Sequence, residues 1–171
     1  MGPLLRAVAC ALGLGLAACR STPEVVEAPG QGFLGALTLP SVGPTRHEPA
    51  TLSGSVVLVS FFATWCFPCV AEIPNLIALQ RDLGPSGLRI VAVGMDLEGR
   101  RVLAPFAEYY ALNYPVLEAD DAMREGRSPF GLIRALPTAV LLDRRGALAA
   151  AWQGVVGHDE VDGAVRAALR R

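Results

Sequence analysis

Metal-ligating and redox-active side chains are scarce in this chain: its 171 residues hold two histidines and four cysteines. A structural zinc site takes four such ligands at close spacing, and neither a second Cys-x-x-Cys nor a neighbouring pair of histidines is present. His47 and His158 stand far apart in loop-like sequence and read as stray exposed side chains. The cysteines are also too few for the framework of bridges that staples small secreted domains. Net charge is nearly missing, since 15 basic residues offset 16 acidic ones and leave −1. No basic stripe with interleaved aromatics occurs, which argues against a nucleic-acid partner. The apolar run from Ala7 to Ala18 covers only 12 residues, whereas a helix crossing a bilayer core needs about 20.

That short run has another use. It follows one early cation, Arg6, and ends in small residues, the pattern of a secretory signal. Its end, Leu16-Ala17-Ala18-Cys19, resembles the bacterial lipobox. The resemblance implies cleavage before Cys19, diacylation of that cysteine and anchoring to a bacterial membrane on its extracytoplasmic, periplasmic face. The alternative is an ordinary signal that leaves Cys19 as a free thiol. Cys10 lies within the run and is discarded with it. Residues 1–18 are thus expected to be a lipoprotein signal, and residues 19–171, 153 in all, are enough to bury a core. Residues 19–32 carry small residues and prolines without apolar periodicity and read as a lipidated start and flexible tether. One domain is expected over 33–171.

Within that domain strand and helix patterns alternate without an internal repeat. Leu37-Thr38-Leu39 suggests a short first strand stopped by Pro40. Val56 to Phe62 is a continuous β-branched and aromatic run, as in a central strand covered on both faces. A helix follows Trp65-Cys66, with Val70, Ile73 and Ile77 on one side and Pro74 inside it. Leu88 to Gly94 is a second buried strand. A helix from near Pro105 to Leu112 is expected, with the proline in its first turn. Tyr114–Leu117 and Thr138–Leu142 read as strands, the latter joined through Asp143-Arg144-Arg145-Gly146 to Ala147–Trp152 as an antiparallel hairpin. Asp159 to Arg171 closes the chain as a helix, acids first and arginines last. The pattern is α/β, a central mixed sheet flanked by helices with a C-terminal hairpin and helix.

The chemistry concentrates at Cys66-Phe67-Pro68-Cys69, directly after a buried strand and at a helix start. Separation by three residues puts both sulfurs on one side of the first turn. Unpaired N–H groups and the positive end of the helix dipole favour a thiolate there, and the thiolate is the nucleophile. Cys66, nearer the terminus, is expected to be the more exposed and to attack; Cys69 resolves the mixed disulfide. Haem attachment needs histidine where Val70 stands. No cofactor is called for, because the dithiol itself carries the electrons.

The segment VLVSFFATWCFPCVAEIP, Val57 to Pro74, resembles the active-site segment of the TlpA/ResA-like periplasmic thioredoxins, in the thioredoxin superfamily. The resemblance continues through Tyr114-Pro115-Val116-Leu117, Phe130-Gly131, Leu136-Pro137-Thr138 and the Asp143–Gly146 turn, over about 33–171. It implies a thioredoxin-like fold and a thiol–disulfide oxidoreductase of the protein-disulfide reductase type. Its substrate would be a disulfide in a secreted protein or an apocytochrome, its electron source a membrane-embedded donor. Pro137 matches the family's cis-proline, facing the dithiol between Leu136 and Thr138. Trp65 would pack beside the site, and Phe67-Pro68 would tune the reduction potential. Ser60 stands where cytoplasmic thioredoxins carry a buried aspartate, and a hydroxyl cannot replace that base. Glu72, three residues after Cys69, is either the proton acceptor in its stead or a solvated surface carboxylate. The competing readings are a disulfide-forming oxidant on the same fold, a Sco-like copper module completed by His158, and a peroxide-reducing enzyme. The copper module needs one more residue between the cysteines, and the peroxide enzyme presents a single cysteine in a different loop.

Overall fold

A computed structural model describes residues 31–171; the signal segment, Cys19 and the tether as far as residue 30 lie outside the described residues. The elements run α1 (Gln31–Gly35), β1 (Ser41–Val42), β2 (Val56–Phe62), α2 (Phe67–Leu83), β3 (Leu88–Gly94), α3 (Arg100–Tyr109), β4 (Val116–Glu118), α4 (Asp121–Arg124), β5 (Thr138–Leu142), β6 (Leu148–Gln153) and α5 (His158–Leu169). Short 3-10 turns at Pro49–Leu52 and Gly84–Ser86 precede β2 and β3.

The strands make one mixed sheet in the order β1-β4-β3-β2-β5-β6. β2, β3 and β4 run parallel, while β5, β6 and β1 are antiparallel to their neighbours. β2 is central and every one of its residues is buried. That explains its unbroken apolar run, since a strand covered on both faces has no polar side to show. Its alternate residues serve two cores. Val56, Leu58 and Phe62 join Ile73 and Leu79 of α2, Leu103 of α3 and Val165 of α5. Val57, Val59 and Phe61 join Val91, Met123 of α4 and the partly buried Phe33 and Phe130.

Three expectations need correction. Leu37–Leu39 is a turn after α1, closed by bonds from Leu37 N to Leu34 O and from Thr38 N to Gly35 O. Leu37 is fully buried, so its apolar spacing reflects core contact rather than a strand. The first strand is instead the two residues beyond Pro40, where Ser41 and Val42 face Leu117 and Val116. Gln31 and Gly32, expected in the tether, are instead the first residues of α1. Lastly, α3 starts at Arg100, which places Pro105 inside it. Pro105 is exposed there, and the buried Leu103 and Ala107 hold the helix on the sheet despite the lost N–H.

The remaining long elements match expectation within a residue or two. Gly146 N bonds Asp143 O at 2.9 Å to close the hairpin, while the Asp143 carboxylate accepts from the amides of Arg145 (2.8 Å) and Ala147 (3.0 Å).

Candidate active site

β2 ends at Phe62, and Ala63-Thr64-Trp65 turns the chain from the sheet into α2. Cys66 caps that helix with extended backbone (φ −84°, ψ 96°). Its amide donates to Ala63 O at 3.0 Å, closing the turn, and its sulfur accepts from Cys69 N at 3.3 Å. Pro68 costs nothing in this first turn, because its missing donor is one that a helix start leaves unpaired. Cys66 and Cys69 form a disulfide with their Cα atoms 5.3 Å apart.

The expected difference in exposure is not found: Cys66 is 5% and Cys69 4% exposed. Direction distinguishes them instead. Cys66 opens onto a surface cleft with Trp65, Phe67, Pro68 and Leu136. Cys69 lines a separate, small cavity with Phe62, Ile73 and Tyr114. Trp65 and Phe67 are 73% and 82% exposed beside the cleft, and its charged lining residue is Arg134. The Leu136–Pro137 peptide bond is cis. Pro137 is buried, and Thr138 Oγ1 donates to Ala135 O at 2.7 Å across the bend.

Glu72 is half-buried on α2 and lines a cavity with Asn75, Pro137, Val156 and His158. This is not the cavity that Cys69 faces; Leu76 borders both. Burial pushes the Glu72 carboxyl above its ordinary range, against a backbone hydrogen bond at Val156 that lowers it. Tyr114 is also pushed up, by burial first and then by the Glu72 charge. Tyr114 thus feels Glu72 while lining the cavity of Cys69. The sign of the Glu72 effect on stability follows directly. A folded chain that binds this proton more tightly than the unfolded chain loses stability as pH rises through the ordinary glutamate range, about 4.3. The loss stops once the group is ionised in both states. Glu72→Gln is therefore expected to gain on the native chain between pH 4 and pH 7 in urea midpoints; parallel curves would contradict the buried-carboxyl account.

Ser60 is buried at the level of Ala92 and Ala139, and no carboxylate occupies that position. His47 is not a stray exposed side chain: it is half-buried, its Nε2 lies 2.9 Å from Leu37 O, and burial lowers its pKa. His158 is exposed but opens α5 and lines the Glu72 cavity. The cavities that take His47 and His158 are different and neither includes a cysteine. Among the described residues no three His, Cys, Asp or Glu side chains cluster as a metal site would require.

Asp96 escaped the sequence reading. It follows β3, is 1% exposed, and its carboxylate accepts from Thr64 Oγ1 at 2.6 Å and from Thr64 N at 3.1 and 3.2 Å. Thr64 and Asp96 are 32 residues apart, and only the pairing of β2 with β3 brings them together.

Comparison with known proteins agrees with this geometry. A family model described as AhpC/TSA matches residues 36–160. The thiol-disulfide oxidoreductase ResA of Oceanobacillus iheyensis is 32% identical over 122 residues, covering 71% of this chain and 62% of that protein. ResA of Bacillus subtilis is 28% identical over 149 residues, 84% of this chain and 77% of its own length. The chain spans 62% and 65% of the ResA proteins of O. iheyensis and Geobacillus kaustophilus. Among solved structures, a thiol:disulfide interchange protein of the thioredoxin family from Chlorobium tepidum superposes with a TM-score of 0.63 at 27% identity, covering 77% of this chain and 94% of that one.

Proposed function

The chain belongs to the AhpC/TSA family, and we propose that within it the Cys66–Cys69 pair makes this protein a thiol–disulfide oxidoreductase that reduces disulfides outside the cytoplasm. The observation that carries the reading is a dithiol at the start of α2 whose first sulfur opens on an exposed, largely apolar cleft bordered by Leu136. In the reduced protein the Cys66 thiolate attacks one sulfur of a substrate disulfide. A mixed disulfide forms, and the first substrate sulfur leaves as a thiolate and takes up a proton. Cys69, as thiolate, then attacks the Cys66 sulfur, the second substrate thiolate departs, and two electrons have passed to the substrate. Glu72 is the carboxylate proposed to handle the Cys69 proton. A disulfide in a secreted protein or an apocytochrome is the proposed substrate, and a membrane-embedded donor restores the dithiol.

Direction is tested by the reduction potential of the pair. Neither Phe67-Pro68 nor Ser60 supplies a cation or buried acid to force an extreme thiolate, so a value nearer thioredoxin's, about −270 mV, than a strong oxidant's, about −120 mV, is expected. That gap corresponds to roughly 7 kcal/mol. Equilibration with dithiothreitol or glutathione measures it, and a potential above about −150 mV would make the protein an oxidant instead.

The location rests on Leu16-Ala17-Ala18-Cys19. No helix among the described residues is long and apolar enough to cross a membrane. The proposed attachment is by acyl chains on Cys19, on the strength of the lipobox resemblance. Two chains give the stable binding that one does not. Cys19→Ala is expected to release the protein from the membrane fraction; retention of an unprocessed chain would make residues 1–18 an uncleaved anchor.

A further inference from the structure

We propose that Asp96 is a positioning residue for the Cys66 nucleophile, acting through Thr64; this rests on the oxidoreductase reading and extends it to a residue outside the Cys-x-x-Cys segment. The ladder between β2 and β3 runs to Phe62 and Gly94 and is continued by Met95 N to Phe62 O at 2.8 Å. Beyond that point main-chain pairing stops, and the Asp96 side chain takes over. It accepts both hydrogen-bonding groups of Thr64, the hydroxyl at 2.6 Å and the amide at 3.1 and 3.2 Å. The Asp96 main chain is itself fixed, because its carbonyl accepts from Arg124 Nη2 of α4 at 2.9 Å and from Gly99 N at 3.2 Å.

Thr64 lies within the turn that Cys66 N closes on Ala63 O. Clasping Thr64 therefore sets where that turn delivers Cys66, whose sulfur must stay in line with the amide of Cys69 to keep its helix-start stabilisation. A buried carboxylate is costly unless its bonds are satisfied, and here Thr64 supplies the bonds that the geometry records. Arg124 is bonded to the Asp96 carbonyl, Arg134 lines the cleft beside Cys66, and Glu72 lies further along α2.

Loss of the Thr64 hydroxyl acts in one direction. It loosens the turn that holds the Cys66 sulfur at the helix start, which disfavours the thiolate. The test is the pH dependence of iodoacetamide alkylation at Cys66, followed by mass spectrometry in a Cys69→Ser background of the full chain. This readout needs no protein substrate, so it stands even if the disulfide-reductase assignment fails, which insulin reduction by the native chain reports separately. Thr64→Val is expected to raise the midpoint and slow alkylation at pH 7 about three- to tenfold. Thr64→Ser, which keeps the hydroxyl, is expected to restore the native profile. In an Asp96→Ala background, which has no acceptor left for the Thr64 hydroxyl, Thr64→Val should have no further effect, since its action runs through that side chain. A native midpoint and rate in Thr64→Val, with thermal stability alone reduced, would overturn the proposal. So would an equal shift in the Asp96→Ala background. Should Thr64→Val fail to fold, Thr64→Ala makes the same comparison.

Discussion

Offered a protein disulfide, reduced Cys69→Ser is expected to accumulate as a mixed disulfide through Cys66, while Cys66→Ser reacts slower by about three orders of magnitude or more. The asymmetry does not come from residue exposure, 5% for Cys66 and 4% for Cys69. It comes from what each sulfur meets. Cys66 faces the cleft where an incoming disulfide can align, and it sits at the helix start. Cys69 lines a different, smaller cavity with Phe62, Ile73 and Tyr114, away from that cleft. Without Cys69 the second displacement cannot occur, so the intermediate persists and is visible on a non-reducing gel. Trapping through Cys69 in the Cys66→Ser protein, with none in the other variant, would reverse the roles.

The second large effect is on stability. Phe61→Ala is expected to cost about 3–5 kcal/mol, against a total of about 5–15 kcal/mol for a domain. Phe61 is fully buried on the central strand, between Val93 of β3 and Thr138 of β5. Its ring meets Phe130 edge-on at 5.2 Å, and Phe130 meets Phe33 of α1 at 5.1 Å. The cavity left behind would loosen α1 and the segment that leads to Leu136-Pro137, neither of which has a sheet partner to hold it. A urea midpoint that falls with little change in slope is the expected signature. Phe67→Ala makes the contrast, since that ring is 82% exposed and its removal should stay within about 0.5 kcal/mol. Comparable losses from both variants would mean that the two-core description is wrong.

How far the sequence could be read depended on whether a residue's partner lay nearby in the chain. β2, β3 and β5 were legible because a strand buried on both faces is an unbroken apolar run, and the Asp143–Gly146 turn carries its own hydrogen bonds. Cys66 and Cys69 were legible because their chemistry depends on one helical turn. Leu37–Leu39 misled because a turn pressed into a core alternates as a strand does. Pro105 misled because proline usually marks a helix start, and only packing through Leu103 and Ala107 shows the helix already under way. His47 took a partner ten residues back, at Leu37. Asp96 had no local signature, since one acid after a strand says nothing until the neighbouring strand ends alongside it.

The sheet's two margins are guarded very differently. On one side β1 offers two residues between Pro40 and Gly43, too short a template for another extended chain. On the other, β6 presents six, Leu148-Ala149-Ala150-Ala151-Trp152-Gln153, without a charge or a proline and mostly exposed. The register irregularity at Leu141/Leu142 falls at the turn end of this pairing and leaves the stretch beyond it regular. Natural sheets usually blunt such a margin with charge, proline or a bulge. If acyl chains confine many copies to one membrane face, the resulting crowding in two dimensions places the hazard of edge-to-edge aggregation at β6, whose end at Gln153 lies opposite Thr138 and so borders the Leu136-Pro137 bend.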